Sequence, residues 1–141
     1  MAIKELNPYL NFNGTGAEAI ALYTSALGAK VENMMRYADM PGNKPQPENA
    51  QRILHAQLRV GQAVILLSDV PADRPTALGG NVQVTLQFDG DLADMTARFN
   101  ALAAGGQVTM PLQDTFWGAT FGMLTDRFGV QWMFNSMKPG A

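Results

Sequence analysis

The only histidine, His55, lies in I-L-H-A-Q-L-R-V, where apolar and polar residues alternate. Imidazole is the one side chain whose ordinary pKa suits proton transfer near neutrality, so His55 is a candidate general acid or base. A histidine hydrogen-bonded within a polar sheet face is the alternative. Ser68-Asp69 follows in the next apolar run, which raises hydrolysis by a Ser-His-acid set, but no G-x-S-x-G elbow is present. Gly14-Thr15-Gly16-Ala17-Glu18-Ala19, with Glu32 further on, has the outline of a dinucleotide loop. Against that reading, the run before it contains Pro8 and Asn11, where a central parallel strand is continuously apolar. Helix capping accounts for the same residues.

Metal chemistry is narrowly bounded. With one histidine and no cysteine, a single chain builds no two-His-one-carboxylate, three-His or thiolate site. Most acids fall at caps, turns and loops rather than on one strand face. Aromatic stacking is the other option: Phe116, Trp117, Phe121 and Trp132 crowd the C-terminal part of the chain and offer either a platform for a planar ligand or core. Alternation puts Trp132 and Phe134 opposite Gln131, Met133 and Asn135, so Trp132 reads as structural. Trp117 sits where the chain turns and can reach a rim. Nine methionines suggest deformable packing, in the core or around ligands of varied shape.

What must position these groups is visible as a repeat. Residues 10 to 24 laid over 86 to 100, an offset of 76, match Leu10 with Leu86, Phe12 with Phe88, Gly14 with Gly90, Ala17 with Ala93 and Ala21 with Ala97. The chain has 141 residues, so the offset is about half of it and points to two copies of one supersecondary unit. Each copy opens with a strand, Pro8 to Phe12 or Val82 to Phe88. A helix follows, carrying Ile20, Tyr23 and Leu27 or Leu92, Met95, Phe99 and Leu102 at helical spacing.

Thr15 with Glu18 reads as a capping box for the first helix, and Asp91 as the cap of the second. Gly28 and Gly105-Gly106 are the stops. Three strand candidates follow each helix: Val31 to Tyr37, Ile53 to Val60 and Ala63 to Ser68, then Gln107 to Leu112, Trp117 to Leu124 and Val130 to Asn135. Two βαβββ modules result, over 1–70 and 81–141, joined by a connector at 71–80 within one structural domain. The proline-rich stretch Pro41 to Asn49 is a long loop, and 39–51 is placed to act as a lid over the His55 strand. Alternation sets Leu54, Ala56, Leu58 and Val60 against His55, Gln57 and Arg59, and Val82, Val84, Leu86 and Phe88 against Gln83, Thr85 and Gln87. A curved sheet with helices behind and polar side chains inside describes a cavity.

Lys and Arg number 10 against 12 Asp and Glu, for a net charge of -2, and the isoelectric point is near 5.2. Nothing in that balance draws the chain to nucleic acid or an anionic membrane. The N-terminus M-A-I-K-E-L-N lacks a signal peptide's basic start and apolar run, and no stretch approaches the roughly 18 apolar residues of a membrane span. A soluble, cytoplasmic protein with a small-molecule partner is expected.

The paired βαβββ pattern, F-x-G-x-x-x-E-A-x-x-x-Y from Phe12 to Tyr23, and T-F-W-G-A-x-F-G-x-x-T-D-R-F-G-V-x-W-M from Thr115 to Met133 resemble the PhnB-like branch of the vicinal oxygen chelate superfamily. That superfamily includes glyoxalase I, bleomycin-resistance proteins and extradiol dioxygenases. The resemblance implies an α+β fold of two βαβββ modules forming a cup with helices on the outer face, usually as a homodimer. It also implies metal-ligand positions that fall here at Asn7, Leu66, Gln83 and Met133. None is His, Asp or Glu, so the metal chemistry of the superfamily does not carry over, and no metal and no cofactor are expected. Sequences of this branch are often labelled as methyltransferases, but no site for a methyl donor is visible.

What the resemblance leaves is ligand capture, as in the bleomycin-resistance members, in a cup lined by Tyr9, Asn11, His55, Gln83, Thr85, Trp117 and Met133. An isomerase or lyase using His55 on a small oxygenated substrate is the alternative.

Overall fold

The computed structural model describes residues 2–42 and 44–138. The chain divides into two compact units, Met1–Ala77 and Leu78–Ala141. The stretch 71–80 is shared between them. Asn13 exchanges two hydrogen bonds with the Thr76 backbone (2.8 and 3.0 Å), whereas Leu78 packs on Gly129.

In the first unit β1 (Tyr9–Phe12), α1 (Gly16–Leu27), β2 (Lys30–Arg36), β3 (Ile53–Val60) and β4 (Ala63–Asp69) form one βαβββ module. In the second, β5 (Val84–Phe88), α2 (Leu92–Ala103), β6 (Gln107–Asp114), β7 (Ala119–Thr125) and β8 (Gln131–Met137) form the other. The two sheets run β1-β4-β3-β2 and β5-β8-β7-β6. Only the β1/β4 and β5/β8 pairs are parallel. The helices begin at 16 and 92 and end at 27 and 103, so both ends keep the 76-residue offset.

Each helix covers one face of its sheet. From α1, Ile20, Tyr23 and Leu27 are buried with Ala19 and Ala26, against Ile53, Ala56, Leu58 and Leu67. From α2, Met95, Phe99 and Leu102 are buried, and Phe99 meets Phe134 edge-on at 5.1 Å. Each large apolar side chain so buried contributes about 1.5–3 kcal/mol. Leu92, expected on that stripe, is 47% exposed, because it is the first residue of α2.

The caps differ from expectation at one end. Asp91 caps α2 as the sequence suggests, accepting from the Asp94 N–H at 3.0 Å, and Gly28 ends α1 at φ 68°. The Thr15 side chain makes no cap bond to α1, so the Thr15/Glu18 capping box does not form. Asp69, at the end of β4, takes its place. Its Oδ1 accepts the N–H groups of Gly14 (3.0 Å) and Gly16 (2.8 Å), and its Oδ2 accepts that of Ile53 (2.8 Å). One carboxylate, 2% exposed, thereby ties the start of α1 to β3 and β4. A Cβ at Gly16 would lie 2.9 Å from that carboxylate, which is why glycine stands there.

The 37–52 segment is not a strand. It holds short 3-10 turns at Tyr37–Asp39 and Pro47–Asn49, and its base is closed by Tyr37 N–H to Arg52 O and Ala38 N–H to Ala50 O. The Tyr37 hydroxyl donates to the Asp69 carbonyl at 2.9 Å. Burial, then the nearby Asp69 charge, holds the Tyr37 phenol above its usual pKa.

Asp69→Ala strands three N–H groups, two of them buried, and is expected to lower stability by on the order of 3 kcal/mol in urea unfolding. Asp69→Asn, which keeps the Oδ1 bonds, is expected to lose less; equal stability of Asp69→Ala and the parent chain would refute the role. For Tyr37 the folded pKa is the higher one, so its contribution is complete below the unfolded phenol value of about 10 and is lost as pH rises through the folded value. Tyr37→Phe is expected to lower neutral-pH stability by about 1 kcal/mol and to flatten the alkaline loss, read by urea unfolding across the phenol's titration range.

Candidate functional site

With one helix per sheet, the second face of each sheet is left open, and strand parity decides what it shows. In the first unit the register aligns Tyr9 with Leu66 and Leu66 with Gln57, Asn11 with Ser68, and His55 with Met35. Irregularities fall at Glu32 in β2 and Leu54 in β3. The second corrects the expected alternation. Leu54 is the extra residue, so Ile53 rather than Leu54 joins Ala56 and Leu58 against the helix.

On this open face the Tyr9 hydroxyl lies 3.5 Å from His55 Nδ1, with the rings 6.2 Å apart. Beside them the Ser68 hydroxyl donates to Asn11 Oδ1 at 3.3 Å. Tyr9, Asn11 and His55 are thus brought together. The bulge at Glu32 adds a group not foreseen. Its carboxylate accepts from Arg59 Nε (2.9 Å), Arg59 Nη2 (3.2 Å) and Gln57 Nε2 (3.0 Å). The Arg59 bond, then that of Gln57, holds the Glu32 carboxyl below its ordinary pKa, and Glu32 holds the Arg59 guanidinium above its own. The pair is exposed, so it fixes side chains more than it stabilises the fold.

In the second unit Thr85 pairs with Met133 and Met133 with Met123, while Gln87 pairs with Asn135 and Asn135 with Phe121. The Thr85 hydroxyl lies 3.5 Å from Met133 Sδ, and Asn135 Nδ2 donates to Gln87 Oε1 at 2.8 Å. Trp132 and Phe134 take the helix face as expected. Both are fully buried, and the Trp132 indole N–H donates to Asp126 Oδ2 at 3.0 Å.

Trp117 stands in the turn between β6 and β7, 47% exposed, edge-on to Phe121 at 5.7 Å and to Phe116 at 5.1 Å. Gln83 departs from expectation. The strand starts at Val84, and Val82 and Gln83 lie before it, exposed. The β5 to β8 pairing begins at Val84 with Trp132, so Gln83 lies ahead of the ladder although β8 itself begins at Gln131.

Three chemistries can be tested against this geometry. Ser68 and Asp69 are neighbours on a strand and point to opposite faces. Asp69 is bound on the helix side while Ser68 bonds to Asn11, so no Ser-His-Asp relay forms. The Gly14 and Gly16 N–H groups that would cradle a phosphate are already taken by Asp69. At the positions that the resemblance implies for metal ligands, Asn7 donates its amide to Val64 O (3.1 Å) and Glu5 (2.8 Å), Leu66 is aliphatic and Met133 is a thioether. Among the described residues no three His, Asp or Glu groups come close enough to hold a metal. Amide, aliphatic and thioether side chains do not fit a hard divalent cation.

The sequence profile of the Glyoxalase/Bleomycin resistance protein/Dioxygenase superfamily matches residues 6–134. The chain is 35% identical to Protein YjdN of Escherichia coli over 94% of this chain and 95% of that one. Among solved structures, protein PA1353 of Pseudomonas aeruginosa is 41% identical with a TM-score of 0.86, covering 96% of this chain and 98% of that one. A Bacillus cereus protein described as a putative 3-demethylubiquinone-9 3-methyltransferase, PhnB protein, has the same fold at 22% identity and a TM-score of 0.74, covering 94% of this chain and 99% of that one.

Proposed function

We propose that this chain, which belongs to the Glyoxalase/Bleomycin resistance protein/Dioxygenase superfamily, binds a small organic molecule on the open faces of its sheets without a metal. The carrying observation is the donor set. Where the superfamily's metal ligands fall, this chain has Asn7, Leu66, Gln83 and Met133, and around them stand hydroxyl, amide and thioether groups paired with one another: Thr85 with Met133, and Gln87 with Asn135. Such groups recognise shape and hydrogen-bonding pattern and leave a hard cation unbound.

The working unit is a homodimer in the cytoplasm. An edge strand supports the dimer: Val31, Met34 and Met35 of β2 are all more than 40% exposed, more apolar surface than an edge carries without a partner. No helix among the described residues is long and apolar enough to cross a membrane, and the net charge of -2 favours a small partner over nucleic acid.

One observation favours a second reading, catalysis. The Tyr9 hydroxyl and His55 imidazole, 3.5 Å apart on an open face, can exchange a proton with a bound oxygenated substrate. In that reading His55 is the acid or base of an isomerase or lyase, and Tyr9 orients its ring.

Native mass spectrometry of protein purified without chelator and then offered zinc and manganese is expected to give twice the chain mass of 15.2 kDa with no stoichiometric metal. A metal-loaded species at one ion per chain would contradict the binding mode. For the second reading, His55→Gln is expected to abolish turnover of a converted substrate by about a hundredfold or more while its affinity stays within about threefold. Unchanged turnover would remove His55 from the chemistry.

A further inference from the structure

The two open faces differ in chemistry, and the second is the more informative. Its central row crosses four strands: Thr85 on β5, Met133 on β8, Met123 on β7 and Met110 on β6, each aligned with the next by the strand register. All three methionines are half-buried, so they are neither core nor fully solvated. The adjacent row holds Gln87, Asn135, Phe121 and Gln113, and Trp117 leans edge-on against Phe121. Continued to the strand ends, the face adds Gln107, Thr125 and Gln131, and it carries no formal charge. The first unit's open face, by contrast, holds His55 and the Arg59/Glu32 ion pair.

We infer that the open face of the second module binds an uncharged, flat aromatic molecule bearing a hydrogen-bond donor beside an acceptor, as in a lactam. The inference rests on the proposed small-molecule function and names the class of ligand. Three observations carry it. The absence of charge selects against ions, whose desolvation no counter-charge on this face repays. Thioethers on three neighbouring strands form a polarisable floor that adapts to a ring system, with sulfur-aromatic contact favourable in itself, and the Phe121/Trp117 pair adds an aromatic wall.

The amide pair supplies the polarity. The Asn135 to Gln87 bond uses one amide N–H and one carbonyl. The Asn135 carbonyl and the Gln87 amide nitrogen therefore remain for a ligand, an acceptor beside a donor. Their complement is an N–H beside a C=O on the rim of a flat ring.

The test is a titration of the full chain, labelled with carbon-13 at its methionine methyls, with three flat bicyclic probes: 2-quinolinone, N-methyl-2-quinolinone, which lacks the N–H, and 1-naphthoate, which is an anion. Ring currents from 2-quinolinone are expected to shift the methyls of Met110, Met123 and Met133 saturably and leave that of Met34 in place. N-methyl-2-quinolinone is expected to bind about tenfold more weakly, the loss expected for one hydrogen bond left unmade in a desolvated site, and 1-naphthoate weaker still.

Asn135→Leu, which removes the carbonyl that the ring N–H meets, is expected to erase the difference between the two quinolinones. Met123→Lys, a half-exposed change checked for folding by its melting curve, is expected to weaken 2-quinolinone and strengthen 1-naphthoate. Tight binding of 1-naphthoate on the same three methyls would overturn the uncharged class and keep the face. Shifts confined to the methyl of Met35, the strand partner of His55, would overturn this inference and leave the broader small-molecule reading standing. Silence at both places with all three probes would count against both.

Discussion

A four-stranded sheet has two faces, and each module of this chain supplies one helix to cover them. The helix removes one face from water, and the period of two along each strand then assigns every other side chain to the face left open. Everything proposed for the site follows from that shortage of cover. Tyr9, His55 and Ser68 in one module, and Thr85, Met133 and Asn135 in the other, are presented because each module has a single α-helix among the described residues.

The acids show how the remaining chemistry is partitioned. Asp69 caps the start of α1 and closes onto β3 from the helix side. In the second module Asp126 plays a comparable part within its hairpin, accepting from Phe128 N–H, Val130 N–H and the Trp132 indole. Glu32 is held by Arg59 and Gln57. Carboxylates that might have served a metal or a nucleophile are thereby engaged in positioning backbone and side chains. The duplicated frame has kept its geometry while its open positions have diverged: Tyr9 corresponds to Thr85, Asn11 to Gln87, Leu66 to Met133 and Ser68 to Asn135. One module offers proton-exchanging groups, the other neutral and polarisable ones.

How much of this was legible in the sequence depended on the range of the interaction. Periodicity located both helices and the β3 strand, since the spacing of Ile20, Tyr23 and Leu27, or of Ala56 and Leu58, is local information. Parity placed Trp132 on the helix side and Thr85 and Met133 opposite it. What stayed hidden was long-range. Thr15 and Glu18 have the spacing of a capping box, but the start of α1 is instead held by a carboxylate 53 residues beyond Gly16, which takes the Gly14 and Gly16 N–H groups. The bulges at Glu32 and Leu54 each insert one residue, which no alternation pattern reveals. Gln83 fell outside its strand because the β5 to β8 ladder begins at Val84, a limit that alternation within the run does not reveal. The methionine row was invisible for the same reason: Met110, Met123 and Met133 are scattered in sequence and meet only through register.

The central claim is that the open sheet faces are where this protein meets its ligand. Crystallographic fragment screening tests it most directly, because it reports location without assuming a ligand. The account predicts that neutral aromatic fragments cluster on the β5 to β8 open face around Met123 and Phe121, and that hydroxylated ones gather near Tyr9 and His55. Fragments found only on the helix side or at lattice contacts, with both open faces bare, would contradict it.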